Sequence, residues 1–485
     1  MCKWCIILLP VCFCVQSLIG QTSMREKFDN FLRQSRKEFS DFREEVNAEY
    51  AGFLRRAWKK YNAGIIIPEP EEKPVPPVVI DGNERQKPVE DDSVKIDVVV
   101  EVPKPEPQPT PVSPVREQPV PVEPVFPFRI YGTDMEVRLD AAKQRFRLKS
   151  VDNESIARMW ETLSGGSYDN LLADCLRLRK QHRLCDWGYL RMLDSLCGEF
   201  LGDGSVEAVL LKAYLYCQSG YKMRLATDGN RLYMLYACNN IIYEKPCWTL
   251  DGTRFYADGS EARQLSICGA KFPNEKAMSL YVPNEQLLDI NLGEKRLLKS
   301  SEISADVAVN RNVLSFCADY PSSQIGDNPV TRWAMYANAP LGKAIAEQLY
   351  PVLEEKIKGQ SQLGAVNKLL NWVQTAFVYE YDDKVWGGDR AFFCEETLYY
   401  QYCDCEDRAI LLSRIVRDLL GLDVILVYYP GHLAMAVGFT EDVRGDYIML
   451  DGKRYVVADP TYIGAPVGLT MPGMDNKSAI VVKLR

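Results

Sequence analysis

Histidine is nearly missing from this chain: two residues in 485, His182 and His432. A multi-histidine metal centre is therefore excluded, and any histidine-dependent catalysis must run through one of the two. Basic runs are missing too. Lys plus Arg number 58 against 66 Asp plus Glu, a formal charge of −8, which argues against nucleic acid as a main partner. No phosphate-cradling glycine loop follows a strand pattern, so nucleotide binding has no support. No carboxylate loop has the spacing of a calcium site. After the first twenty residues no stretch is apolar enough to cross a bilayer. No cofactor is expected.

What is present is ordinary globular material, 47% hydrophobic and 26% charged, enough for roughly two to four domains. Residues 1–20 are a short apolar stretch whose only charge is Lys3, ending in Ser17-Leu18-Ile19-Gly20. They read as a secretory signal peptide cleaved after Gly20, although Leu18 is larger than a cleavage site prefers. The expected location is periplasmic, envelope-bound or secreted. Of fifteen cysteines, four fall in this leader. The remaining eleven are odd in number, so at least one thiol stays unpaired. That suits a free nucleophile and equally a buried structural cysteine.

Residues 21–62 carry an amphipathic helical pattern with Phe28, Leu32, Phe39, Phe42, Val46 and Phe53 as its apolar stripe. Glu49 and Arg56 interrupt it. The stripe would pack on its own protein, on a second copy, or on a membrane surface. Residues 68–127 hold sixteen of the 28 prolines. Proline removes backbone donors and fixes φ, so 63–127 is expected to be an extended, semi-rigid spacer that sets the helix apart from the globular residues beyond 127.

The rest reads as α+β in two units, 128–300 and 301–485. Ala208-Val209-Leu210-Leu211 resembles Ala409-Ile410-Leu411-Leu412, and Leu250-Asp251-Gly252-Thr253-Arg254-Phe255 resembles Leu450-Asp451-Gly452-Lys453-Arg454-Tyr455, at offsets of 201 and 200. Each copy reads as a helix, a Gly stop, two strands and a hairpin closed by Asp-Gly, which suits a type I′ turn. The first unit is thus expected to be a degenerate copy of the second.

Chemistry concentrates in the second copy. Asp404-Cys405-Glu406-Asp407 opens a helix, with Asp404 as N-cap and Cys405 in the first turn, where the helix dipole favours thiolate. His432 begins the strand His432–Phe439. Alternation puts it on a face with Ala434, Ala436 and Gly438, leaving room for a helix N-terminus or an extended substrate. Asp459 ends a further strand and can fix the imidazole tautomer. Cysteine, histidine and aspartate in this setting form a nucleophilic triad. At offset 201 the first copy has Gly204 and Arg231 in place of Cys405 and His432, so no triad operates there.

Asp404-Cys405-Glu406-Asp407-Arg408-Ala409, then His432, then Asp459-Pro460-Thr461-Tyr462 resembles the transglutaminase-like superfamily in order and spacing, over roughly residues 360 to 465. Cys403 stands where that family often has Gly, and Leu433-Ala434 follows the histidine where an aromatic or Val is usual. The resemblance implies a papain-like catalytic domain, with Cys405 as nucleophile, His432 as base and acid, and Asp459 as orienter. The oxyanion would meet the Cys405 N–H and one further donor, for which Gln401 and Trp386 are the candidates. Tyr379 to Gly388 is either a cleft wall or a surface loop packed by aromatics, and Tyr462 is either cleft or core.

Zinc on Cys403, Cys405 and His432 is a weak signature without a fourth ligand. His182, among Arg179, Lys180 and Arg183, reads as solvated. The expected function is an exported cysteine peptidase or amidase acting on peptide or protein amides, hydrolysis being favoured by the resemblance to bacterial members of the superfamily. Amine transfer, which is protein cross-linking, uses the same triad. The reading from another class is a non-catalytic envelope scaffold that binds protein or glycan.

Overall fold

The computed structural model describes residues 30, 34, 38, 41–71, 74–80, 99–113, 115, 117, 124–259 and 262–485. The expected signal peptide, and the Phe28, Leu32 and Phe39 part of the stripe, lie outside them.

The two Asp-Gly pairs turn as their chemistry predicts. Asp251 and Gly252 have φ of 49° and 75°, and Asp451 and Gly452 have 48° and 76°. Two positive φ values in succession make a type I′ turn, whose twist matches paired strands. One turn joins Cys247–Leu250 to Thr253–Tyr256, the other Tyr447–Leu450 to Lys453–Ala458. Around them grow two six-stranded sheets. The first runs Lys59–Asn62, Gln264–Ile267, Met223–Thr227, Leu232–Ala237, Thr253–Tyr256, Cys247–Leu250. The second, read in the same direction, runs Val99–Glu101, Ile480–Lys483, Asp423–Tyr429, His432–Gly438, Lys453–Ala458, Tyr447–Leu450. The orders correspond in five strands of six. The edge strands, Lys59–Asn62 and Val99–Glu101, both come from the amino-terminal arm and pair antiparallel and parallel respectively. Each sheet carries one long helix, Val206–Gln218 or Cys405–Leu420. The chain is α+β.

The long helix and the second strand after it begin on different residue types in the two halves. Ser205 caps the first helix and Asp404 the second, while Leu232 and His432 open equivalent strands. Where the second half begins its helix on Cys405 and its strand on His432, the first begins them on Val206 and Leu232. Neither could serve a triad. After the Thr253–Tyr256 strand stands Asp258, bound to Lys245 at 2.8 Å and Arg191 at 3.5 Å.

One apolar core runs through both halves. Ser323–Ile325 pairs with Asn240–Ile242, and Tyr320 packs edge-on against Phe393 at 5.0 Å.

The amino-terminal arm departs from expectation. Residues 41–54 are helical, but the inward face is Arg43, Asn47, Tyr50, Ala51 and Leu54, while Phe42 is 40% exposed. The face turns by one residue because its polar members find partners: Arg43 pairs with Asp169 at 2.8 Å, and Asn47 accepts from Trp160 at 3.0 Å. Tyr50 packs at a tilt against Trp160 and Phe272. The helix is docked, not held apart.

The proline-rich segment is no free spacer either. Its prolines cannot donate, but their carbonyls accept, and the residues between them pair. Val99–Glu101 adds a parallel strand to the second sheet. Gln108 donates to Leu184 O and Asp186, Arg179 to Pro109 O, and Val112 N to Gln218 O. Thr110 lies so close to Gly220 (φ 95°) that a Cβ there would sit 2.0 Å from its carbonyl oxygen.

Candidate active site

Asp404 and Asp407 form the capping box that opens the helix Cys405–Leu420, each side chain accepting from the other's backbone. Gly421, with φ 62°, closes it in the left-handed conformation. Leu411, Leu412, Ile415 and Val416 are wholly buried along its inner side, each burial contributing about 1.5–3 kcal/mol. They join the cluster that holds Leu433, Met435 and Val437. The helix thus sits on the large-residue face of the His432 strand. The small-residue face was the expected berth. Instead it has its own cover: Ala434 and Ala436 pack with Ile448 and Tyr455, and Lys453 crowds Gly438.

The helix start projects past the strand start, and there Cys405 and His432 line one narrow notch with Pro74, Trp333, Asp389, Asp404, Glu406, Tyr428, Gly431 and Leu433. It has only about 10 Å³ of room, about what a single water molecule needs. Cys405 is 3% exposed and His432 1%.

His432 Nε2 lies 2.8 Å from Asp459 Oδ2. The other carboxylate oxygen accepts from Thr461 N at 2.8 Å and Tyr462 N at 3.2 Å. With Asp459 as acceptor, Nε2 carries the proton and Nδ1 is left as a buried acceptor. Nδ1 has no hydrogen-bond partner among the described residues. The ring stacks on Tyr429 at 6.1 Å. Cys405 meanwhile donates its thiol to Glu406 Oε2 at 3.2 Å, and no hydrogen bond joins sulfur to imidazole. Burial, then the charges of Glu406 and Asp404, push the thiol well above its ordinary range, against the Leu433 N–H.

Two residues that the sequence did not mark position this site. Gln374, 3% exposed, donates to the carbonyls of Asp459, Tyr462 and Ala465 at 3.1, 2.7 and 3.0 Å and accepts from Gly464 N. Arg408, from the Cys405 helix, donates to the carbonyls of Gln374, Pro460 and Phe377 at 3.3, 3.4 and 3.0 Å. Together they lock the Asp459 loop to the cysteine helix.

Gln401 and Trp386 do not line the notch. Gln401 is exposed, its carbonyl accepting from Arg296. Trp386 packs with Phe392, Tyr400 and Arg390. Tyr462 is 2% exposed in an apolar cluster with Ala465 and Met471. Cys403 points at Val378 O. His182 is the C-cap of its helix, half-buried, with Nδ1 2.7 Å from Leu287 O. All eleven described cysteines are buried free thiols.

Behind the notch gather carboxylates distant in sequence. Asp382, Asp389 and Glu406, and separately Asp382, Asp404 and Asp407, bring oxygens within 4.8 Å of one another, as do Asp404 and Glu406 with the Cys405 sulfur. Such sets could hold a cation. Here Arg332 approaches Asp389 at 3.5 Å, and the Arg390 and Phe392 N–H groups bond Asp382 and Asp407. Burial and Glu406 push Asp382 and Asp389 up to about 8. A larger cavity of about 500 Å³ is lined by Arg129, Arg191 and Asp194 of the first half and Asp319 of the second. It contains neither cysteine nor histidine.

No known protein family matches the chain, and no curated relative matches it either.

Proposed function

We propose that the chain is a thiol-dependent acyl-transfer enzyme, a peptidase or amidase acting on peptide or protein amides. In this reading the second half is a papain-like, transglutaminase-like catalytic unit and the first half its degenerate copy. The corresponding strand orders support the second point. The observation that carries the first is the bond from His432 Nε2 to Asp459. It leaves Nδ1 a buried acceptor without a partner, on a residue that lines the same notch as Cys405.

The chemistry rests on those atoms. The Cys405 side chain turns from Glu406, and its proton passes to His432 Nδ1, the imidazolium being held by Asp459. The thiolate attacks the amide carbon, and the oxyanion meets the Cys405 N–H at the positive helix end. The carbon–nitrogen bond breaks as Nδ1–H protonates the leaving amine, giving a thioacyl enzyme. Water, deprotonated by Nδ1, then attacks the thioester and releases the acid and the thiol. An amine in place of water gives cross-linking. Export to the envelope or beyond belongs to the same reading.

A binding scaffold is the second reading, favoured by the closed notch and by the thiol held on Glu406. Incubation with a peptide library, followed by mass spectrometry of cleavage and amine-transfer products, separates the two. The enzyme reading expects products that Cys405→Ala abolishes; the scaffold reading expects none.

A further inference from the structure

The notch is closed by the chain's own proline-rich segment. Lys59–Asn62 is stitched antiparallel to Gln264–Ile267 of the first sheet. Gly64 N bonds Cys247 O, Ile67 O accepts from Glu244 N, and Glu69 N bonds Glu244 Oε1 at 3.2 Å. On the far side of the notch, Val75 N donates to Gly431 O at 2.8 Å, Val78–Val79 pairs in parallel with Tyr462–Ile463, and Ile80 N bonds Ile463 O at 2.9 Å. Between these anchors Pro74 forms part of the notch wall beside Cys405 and His432.

Residues 74–80 thus lie as an extended peptide across the carbonyl next to His432 and along the short edge that begins three residues after Asp459. Val75, Val78 and Ile80 press on Tyr462, Ala465 and Met471. The hold is slight. Pro74, Pro76 and Pro77 have no N–H to give, and Val79 is 70% exposed. Edge pairing with alternate side chains in apolar contact is how sheet edges bind extended peptides in general.

We infer that Gly431 with the Tyr462–Ile463 edge is the peptide-binding subsite of this notch, and that residues 74–80 are its tethered, displaceable occupant. The ligand class is an extended, apolar, proline-bearing peptide, and the notch opens when the tether leaves. The inference rests on the catalytic reading only in calling such a peptide a substrate.

The test is the rate at which iodoacetamide labels Cys405, read by peptide mapping. Val75→Pro removes the donor to Gly431, and Val78→Asp puts a charge against Tyr462 and Met471. The double variant is expected to label at least about tenfold faster than wild type, and a synthetic peptide of the sequence 74–80 added in trans to restore protection. Unchanged labelling overturns the inference. So does faster labelling that the peptide does not reverse, since that would be a loosened fold. Should the double variant fail to fold, amide exchange in the wild type decides. The Val75 and Ile80 amides should exchange together and at least about a hundredfold faster than Met435; equal protection overturns the inference. Amide turnover is scored separately. A released variant that binds the peptide but cleaves nothing keeps the subsite and sinks the catalytic reading.

Discussion

The Cys405 thiol donates to Glu406, its neighbour in the first helical turn, at 3.2 Å. That bond and the carboxylate charge both hold the proton on sulfur. Glu406→Gln removes the charge and keeps the shape. The thiolate should then form at lower pH, so labelling of Cys405 near pH 8 rises several-fold. A pH profile of labelling that does not move would show that burial alone sets the thiol.

Asp459→Asn keeps an acceptor for the Thr461 and Tyr462 amides but presents no carboxylate to the imidazole. Loss of the held tautomer should lower kcat by about 10²–10⁴-fold with little change in Tm. Steady-state kinetics beside a thermal melt separate this from a fold defect.

Gln374→Ala strips four hydrogen bonds from the 459–465 loop. Buried carbonyls left without donors, plus the emptied space, should cost about 2–4 kcal/mol in urea unfolding. The loop that holds Asp459 loosens with it, so turnover should fall more than Tm alone accounts for.

The carboxylates behind the notch set a pH slope. Burial and Glu406 hold Asp382 and Asp389 up to about 8 in the folded chain, whereas the unfolded chain ionises them near an ordinary value of about 4. The folded state therefore binds more protons across that interval. This contribution to stability is full below about pH 4 and lost as pH rises through about 8. Tm should fall between pH 5 and 8, and Asp382→Asn should flatten the fall. A flat wild-type profile would contradict the buried pair.

Local chemistry was legible in the sequence and distant partnership was not. The Asp-Gly turns, the Asp404 cap and the strand starting at His432 each arise from a few adjacent residues, and all appear where the pattern put them. The amino-terminal helix turned another face inward because Arg43 and Asn47 found Asp169 and Trp160, partners over a hundred residues away. Proline content marks where a backbone cannot donate; it says nothing of where its carbonyls and its valines will land, so the docking of 59–71, 74–80 and 99–113 was hidden. Gln374 and Arg408 act through backbone carbonyls, which leave no trace in residue type. Asp382 and Asp389 meet Asp404 and Glu406 only once the chain folds. Gln401 and Trp386 were drawn by nearness in sequence to Cys405, yet their side chains settle elsewhere.

The most direct measurement of the central claim is labelling by a peptide-based electrophile, read by mass spectrometry, in wild type and in the released Val75→Pro, Val78→Asp protein, each with and without His432→Ala. The account predicts a single adduct, on Cys405, faster in the released protein and lost with His432. Adducts spread over the other thiols, or a Cys405 adduct indifferent to His432, would contradict it.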